Sequence, residues 1–178
     1  SWTFNMCTGL TSIEIPGSVS YIGSVAFHGC VNVESIFVDA SNTAYRAAGN
    51  CLIETKIGTI IKGCNNSVIP NDGSVTAIHN YAFYGCAELK SIDIPDSVMY
   101  IYHGAFQNCS SLTTVKLPNR LNTVDSVLFE NCTSLESVII PSSVEYIQMR
   151  AFNNCVNLSA IYYCGTESDW DQITINTD

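Results

Sequence analysis

The chain has 178 residues, of which 47% are hydrophobic and 13% charged, and its net charge is −9. The apolar fraction supports a packed core and excludes an intrinsically disordered chain. The scarcity of Lys and Arg excludes binding to nucleic acid and to anionic membrane surfaces, because both depend on clustered cations. No apolar run approaches the roughly 18 residues of a membrane-spanning helix, so no membrane insertion of this segment is expected.

A 23-residue repeat runs through the chain from its first residues. Its clearest mark is the pattern Phe-x-x-Cys, whose copies begin at Phe4, Phe27, Phe83, Phe106, Phe129 and Phe152. Phe27 and Phe83 are 56 residues apart, ten more than two periods, so one coil carries an insertion. A single unit of this kind cannot bury its apolar face alone. The repeat therefore predicts a solenoid of about seven stacked coils with a buried column of Phe rings.

Each repeat contains a short predicted strand, first seen at Ile13-x-Ile15. Alternating apolar residues indicate a strand with one buried face, and copies that run in the same sense pair in parallel. The strands end at proline, which cannot donate to a ladder. All five prolines occupy this position, at Pro16, Pro70, Pro95, Pro118 and Pro141. We expect a parallel sheet along the concave face.

The insertion predicts a long coil over residues 43–82. Within it, 51–64 reads as a β-hairpin that projects from the stack, with Ile57 and Gly58 as a two-residue loop. This register places Cys51 opposite Cys64. Two interpretations remain open for this pair, a disulfide or two buried reduced thiols.

The repeat resembles a known family at this point. The pattern L-x-x-I-x-I-P-x-S-V-x-x-I-x-x-x-A-F-x-x-C is similar to the BspA-type (Treponema pallidum type) leucine-rich repeat. The resemblance implies a β-rich leucine-rich-repeat solenoid of the α/β class. It also implies a bacterial or parasitic-protist protein that is secreted or on the cell surface, with a host or bacterial surface protein or glycan as partner. Some members of the family are adhesins for host matrix.

The two ends of the chain differ from the regular repeat. Residues 162–178 resemble the terminal coil of such arrays, and Thr166-x-x-Asp169 predicts a capping box that opens a helical turn. Trp170, Ile173 and Ile175 would then cover the last coil. The other end begins inside a coil, so we expect 1–178 to be a single domain from a longer protein.

The residue types that carry catalysis do not form a recognisable constellation. The repeated cysteines lack the close C-x-x-C pairs of zinc sites, so we expect reduced, buried thiols. Histidines are expected to be solvated at the outer edge, at His28, His79 and His103. Asn-x-Ser/Thr sequons read as turn residues of the repeat, at Asn65, Asn108, Asn131 and Asn157. The sequence therefore indicates no enzyme, no metal and no cofactor.

The candidate binding residues are the outward side chains of the predicted strands: Glu14, Phe37, Asp93, Lys116, Ile139 and Tyr162. Their chemistry changes from coil to coil, and the repeat does not require three of them to be large and apolar. A neighbouring column of small hydroxyls, from Ser12 to Ser137, is expected to form a structural side-chain ladder. The leading hypothesis is a non-enzymatic binding module. The alternative is a spacer or targeting repeat that displays another domain, for which a bland and uniform sheet face is expected.

Overall fold

The computed structural model describes residues 3–176. It contains short strands and one helical turn, stacked as the coils of a solenoid. The strands are β1 (Ser12–Ile15), β2 (Ser35–Val38), β3 (Tyr45–Ala48), β4 (Cys51–Glu54), β5 (Thr59–Lys62), β6 (Ala77–Ile78), β7 (Tyr100–Ile101), β8 (Thr114–Lys116), β9 (Thr123–Val124), β10 (Ser137–Ile140), β11 (Tyr146–Ile147), β12 (Ala160–Tyr163) and β13 (Thr174–Ile175). The helical turn is α1 (Glu167–Trp170).

The coils place their strands in two columns. In the first column β1 pairs with β2, and β10 pairs with β8 and β12, all in parallel. In the second column β6 pairs with β7, and β11 pairs with β9 and β13, also in parallel. The paired residues are 23 apart in the first column, for example Ser12 with Ser35. This spacing confirms the predicted repeat register. The sequence analysis did not predict the second column.

The predicted parallel pairing is confirmed, but the strands of the first column belong to two sheets rather than one. The first column is interrupted between β2 and β8. Ile92 and Ile94 are buried there as predicted, yet residues 91–94 form no regular ladder. The long coil before them brings a turn rather than a strand to the edge of β2, so the first sheet cannot continue across it.

The insertion consists of three antiparallel strands, β3, β4 and β5. The predicted hairpin exists as β4 and β5, but its register is wrong: Ile53 pairs with Ile60 and Glu54 with Thr59, around a turn at 55–58. A bulge follows, so Cys51 does not lie opposite Cys64 in this ladder. The preceding hairpin of β3 and β4 turns at Gly49 and Asn50, whose φ angles are 55° and 56°. Positive φ at both positions is typical of a two-residue hairpin loop.

The expectation that this hairpin projects from the stack is also wrong. Leu52, Ile53 and Ile60 are completely buried, so the insertion is part of the core. The turn takes the place of a strand in the first column: the side chain of Asn50 accepts from Ile36 N at 2.9 Å and donates to Glu34 O at 2.8 Å. Through these two hydrogen bonds, the turn satisfies backbone groups at the edge of β2 that a strand of the next coil would otherwise satisfy.

Cys51 and Cys64 are both buried, and both are free thiols in the structure. Each sulfur has its own backbone acceptor: Cys64 Sγ donates to Asn50 O at 3.3 Å and Cys51 Sγ to Gly49 O at 3.6 Å. Burial raises the pKa of Cys51 to about 12. The structure thus has two separate buried thiols, and mass measurement with and without reductant tests whether a disulfide forms between them.

The Phe residues of the repeat form stacks inside the rod. Ring centroids of Phe83 and Phe106 are 5.1 Å apart, and those of Phe106 and Phe129 are 5.6 Å apart, with nearly parallel planes. Phe83, Phe106 and Phe129 are fully buried. The stack is interrupted before Phe83, where Gly63 occupies the repeat position. A Cβ at Gly63 would lie 2.1 Å from Cε1 of Phe83, so the ring of Phe83 fills the space of the missing side chain.

The repeated cysteines form a second ladder beside the rings. Four of the six thiols donate to the carbonyl of the Phe one coil earlier, as in Cys109 Sγ to Phe83 O and Cys132 Sγ to Phe106 O, both at 3.2 Å. Cys86 Sγ donates instead to Gly63 O at 3.9 Å. Burial raises the pKa of Cys132 to about 12. The expectation of six buried thiols fails at the ends of the column: Cys7 is exposed and Cys155 half-buried, because fewer coils cover them.

Polar residues also stack along the rod. The side-chain amides of Asn108, Asn131 and Asn154 donate one to the next at 2.8 and 2.9 Å. All three have positive φ, a backbone region that Asn tolerates better than most residues. This supports reading the sequons at Asn108 and Asn131 as turn residues.

The carboxyl-terminal cap has the predicted form. Thr166 and Asp169 make a reciprocal capping box at the start of α1. The ring of Trp170 packs edge-on against Tyr163 at 5.3 Å, and Ile173 is buried. Ile175 is exposed, so two of the three expected residues cover the last coil.

Candidate functional site: the outward face of the first strand column

Five of the six predicted binding residues lie on strands of the first column. Glu14 pairs with Phe37 across β1 and β2, and Ile139 pairs with Lys116 and Tyr162 across β8, β10 and β12. Phe37 and Tyr162 are 59% and 60% exposed, although both are large and aromatic. Ile139 is half-buried, between the side chains of its two neighbours.

The structure adds one residue to this column. Val68 is 70% exposed and precedes Pro70 by two residues, as Glu14 precedes Pro16. The proline register was the available signal, and the long coil concealed it. We call Glu14, Phe37, Val68, Asp93, Lys116, Ile139 and Tyr162 the first-sheet column.

The first-sheet column is divided into two parts by the insertion. Val68 N donates to Gly49 O at 2.8 Å, so the Gly49–Asn50 turn lies between Phe37 and Val68. Asp93 is exposed but lies outside any strand. An open cavity of about 380 Å³ adjoins Glu14 and Phe37 at one end. The structure therefore brings together Glu14 with Phe37, and separately Lys116 with Ile139 and Tyr162.

The hydroxyl column beside it is not a side-chain ladder. Ser12, Ser35 and Ser137 keep the strand register through their backbones. Within residues 3–176, however, no hydrogen bond joins these hydroxyls to one another. Parallel strands already satisfy the backbone there, and the exposed hydroxyls have water as an alternative partner.

The histidines are not the solvated side chains that the sequence suggested, since all three are half-buried. The ring of His28 lies 4.6 Å from that of Tyr81 and 4.5 Å from that of Tyr84. Burial, with a smaller contribution from the Lys62 ammonium, lowers the pKa of His28. Burial also lowers the pKa of His79. The histidine rings are covered by aromatic side chains of neighbouring coils, because equivalent positions of successive coils lie one above the other.

A buried carboxylate was missed by the sequence reasoning. Glu130 is 5% exposed, forms an ion pair with Arg150, and accepts from Asn153 at 2.8 Å and from Gln107. All of these partners hold the carboxylate in place, so the arrangement stabilises three adjacent coils. Within the described residues, no group of three or more His, Cys, Asp or Glu side chains could hold a metal ion. None of the described helices has the length and apolar character needed to cross a membrane.

Comparison with known proteins agrees with this geometry. A model of the BspA type leucine rich repeat region matches six copies, over residues 1–54 and 59–174. The chain belongs to the BspA-type leucine-rich-repeat family. No curated protein matches the chain.

Solved structures of other leucine-rich-repeat proteins resemble it. A leucine rich cell surface protein from Faecalibacterium prausnitzii A2-165 is 30% identical, with TM-score 0.68, over 93% of this chain and 51% of that one. A leucine-rich repeat protein from Bacteroides ovatus is 27% identical, with TM-score 0.67, over 99% and 42%. The leucine rich repeat protein of T. pallidum, 23% identical with TM-score 0.58 over 99% and 64%, shares the fold. The chain thus spans about half the length of the F. prausnitzii structure.

Proposed function

We propose that the chain is a non-enzymatic binding module of a secreted or cell-surface bacterial protein, and that the first-sheet column contacts a protein or glycan partner. The observation that supports this most is the exposure of Phe37 on β2 and Tyr162 on β12, with Val68 exposed at the same repeat position. Aromatic and apolar anchors of this kind account for much of the binding energy at protein interfaces. Parallel pairing holds Phe37 beside Glu14 and Tyr162 beside Ile139, so these anchors lose little conformational entropy on binding.

Two features favour a protein over a glycan at this face. The exposed apolar side chains are spread along both parts of the column rather than gathered in one pocket. Lys116 also lies beside Ile139 in the register, which places a cation next to an apolar contact in an otherwise acidic chain. An anchor residue surrounded by polar and charged positions is typical of a protein interface.

A spacer that displays another domain is the competing hypothesis. A spacer needs only stacked coils, and its outward positions should be polar and similar from coil to coil. The observed column instead runs from carboxylate to aromatic, aliphatic and ammonium groups. The column therefore favours recognition.

The test is a triple variant, Phe37→Ser, Ile139→Ser and Tyr162→Ser, assayed for adhesion to extracellular-matrix proteins and to host and bacterial cells. We expect adhesion to fall by about tenfold or more, the result of losing roughly 1.4 kcal/mol of binding free energy. A matched control replaces three exposed apolar residues outside the column, Ile57, Met149 and Val156, with Ser.

The control variant should adhere as the unmodified protein does. Equal adhesion of the folded triple variant would move the site away from the first-sheet column. Absence of adhesion by the unmodified protein would favour the spacer.

A further inference from the structure

A second exposed aromatic surface lies on the other strand column. Tyr100 in β7 and Tyr102, the residue that follows this strand, flank the buried Ile101, and they are 54% and 39% exposed. Their ring centroids are 6.0 Å apart with planes only 7° from parallel. The ring of His79, one coil earlier, is 5.9 Å from that of Tyr102. Three rings from two coils thus form one aromatic ledge, which is exposed at the two tyrosines and half-buried at His79.

The ladder of the second column opens beside this ledge. In neighbouring coils the backbone bond is made, as from Tyr102 N to Ile78 O at 3.0 Å and from Gln148 N to Val124 O at 2.9 Å. Within residues 3–176, the corresponding bond from Asp125 N to Ile101 O is absent, and β7 and β9 belong to different sheets. One amide and one carbonyl are therefore left without a ladder partner at this place.

A groove of about 220 Å³ occupies the opening, with the two tyrosines on one wall and Asn122, Thr123 and Asp125 on the other. The Thr123 hydroxyl donates to Asn122 Oδ1 at 2.9 Å, which leaves the two amide N–H donors of Asn122 available. Asp125 accepts from Ser126 N through Oδ1 at 2.6 Å, which leaves Oδ2 as an acceptor. The groove thus has an aromatic wall facing a wall of donors and acceptors.

We propose that this groove binds a neutral oligosaccharide. One face of a pyranose ring presents C–H groups, which pack against the electronegative faces of aromatic rings. Its rim presents hydroxyls, each of which both donates and accepts, matching the amide of Asn122 and the carboxylate of Asp125. Drug-sized ligands occupy pockets of about 300–1,000 Å³, so this smaller groove suits one sugar ring, with the rest of the chain lying along the sheet.

Charge and size select the class of ligand. The chain carries a net charge of −9, and the groove is lined by a carboxylate without a cation, so sialylated and sulfated glycans are repelled. A folded protein partner would need a broader apolar surface than this ledge offers. A neutral glycan needs neither a cation nor a large interface.

The experiment measures binding of neutral cello-, xylo-, manno- and N-acetylglucosamine oligosaccharides by saturation-transfer NMR and affinity electrophoresis, with hyaluronan fragments as the anionic comparison. We expect at least one neutral oligosaccharide to bind in the millimolar range or tighter, and hyaluronan fragments not to bind. The double variant Tyr100→Ala and Tyr102→Ala should weaken binding by about tenfold or more, since both stacking rings are lost.

Two further variants separate stacking from folding. Tyr100→Phe with Tyr102→Phe keeps the rings and should retain affinity within about threefold. Tyr21→Ala removes an exposed tyrosine at the same repeat position in a distant coil, and should leave binding unchanged. Lack of binding by every neutral oligosaccharide, stronger binding of the anionic fragments, or equal binding by the double Ala variant would overturn the proposal. Because the groove and the first-sheet column lie on different strand columns and are tested by different variants, either proposal can fail alone.

Discussion

Phe106 is the residue whose replacement tests the stacked-coil register most strongly. Its side chain is fully buried between the rings of Phe83 and Phe129, with centroids 5.1 and 5.6 Å away. Phe106→Ala removes the ring and leaves a cavity that neighbouring coils cannot close, at a cost of about 3–5 kcal/mol. Two stacking contacts, each worth about 0.5–1.5 kcal/mol, place the expected value in the upper part of that range.

The assay is urea unfolding followed by circular dichroism, together with the thermal midpoint. For a chain of this size, about 2–4 °C per kcal/mol gives a fall in Tm of roughly 8–20 °C. Phe37→Ala, at an exposed position of the same residue type, should cost less than about 1 kcal/mol and serves as the control. A loss below about 1 kcal/mol at Phe106 would refute the buried stack.

Other substitutions and conditions test the core independently. Gly63→Ala should destabilise by about 1–3 kcal/mol because its Cβ meets the Phe83 ring, while Gly9→Ala, which meets nothing within 4 Å, should stay within about 0.5 kcal/mol in the same urea titration. In native alkylation followed by mass spectrometry, exposed Cys164 should react first and Cys109 only after unfolding; early labelling of Cys109 would contradict its burial. The raised pKa values of the buried thiols, about 12 for Cys132, favour the neutral form in the folded state. The contribution of these thiols to the unfolding free energy should therefore be constant below pH about 8.5, and the unfolding free energy should fall as pH rises from there towards 12. A stability that does not fall between pH about 8.5 and 12 would contradict thiol burial.

The repeat was predictable because the same pattern of residues recurs in six copies along the sequence. Apolar residues such as Ile13 and Val138 return at a fixed spacing, and stacking then determines which side chains point inward. The thiol-to-carbonyl ladder was not predictable, since it depends on the offset between adjacent coils. The residue before each repeated Cys has positive φ, and it is Asn or Gly in every copy except the first, where it is Met6. Residue type therefore indicated this conformation only indirectly.

The insertion occurs once, so repetition gave no help there. Gly49-Asn50 between two β-prone runs was the sequence signal for the tight hairpin of β3 and β4. The hairpin of β4 and β5 has a four-residue turn at 55–58, so a two-residue loop at Ile57-Gly58 gives the wrong register. Lys62 is 2% exposed, which no sequence pattern indicated, because a lysine in an alternating run normally marks the solvent side. Strand alternation predicted the outward positions of the first-sheet column, but Asp93 lies outside any strand and Val68 was not found because the long coil concealed the repeat position.

The most direct test of a binding role for the first-sheet column is photo-crosslinking from Val68. Val68 lies within the column and is 70% exposed, while Val156 lies outside it and is 69% exposed, which makes the two valines a matched pair. Each is replaced in turn by a photoreactive phenylalanine derivative, and the protein is irradiated on the matrix or cell surface to which it adheres. We expect a discrete crosslinked partner from position 68 and none from position 156. Equal crosslinking from both positions, or crosslinking from position 156 alone, would contradict the account.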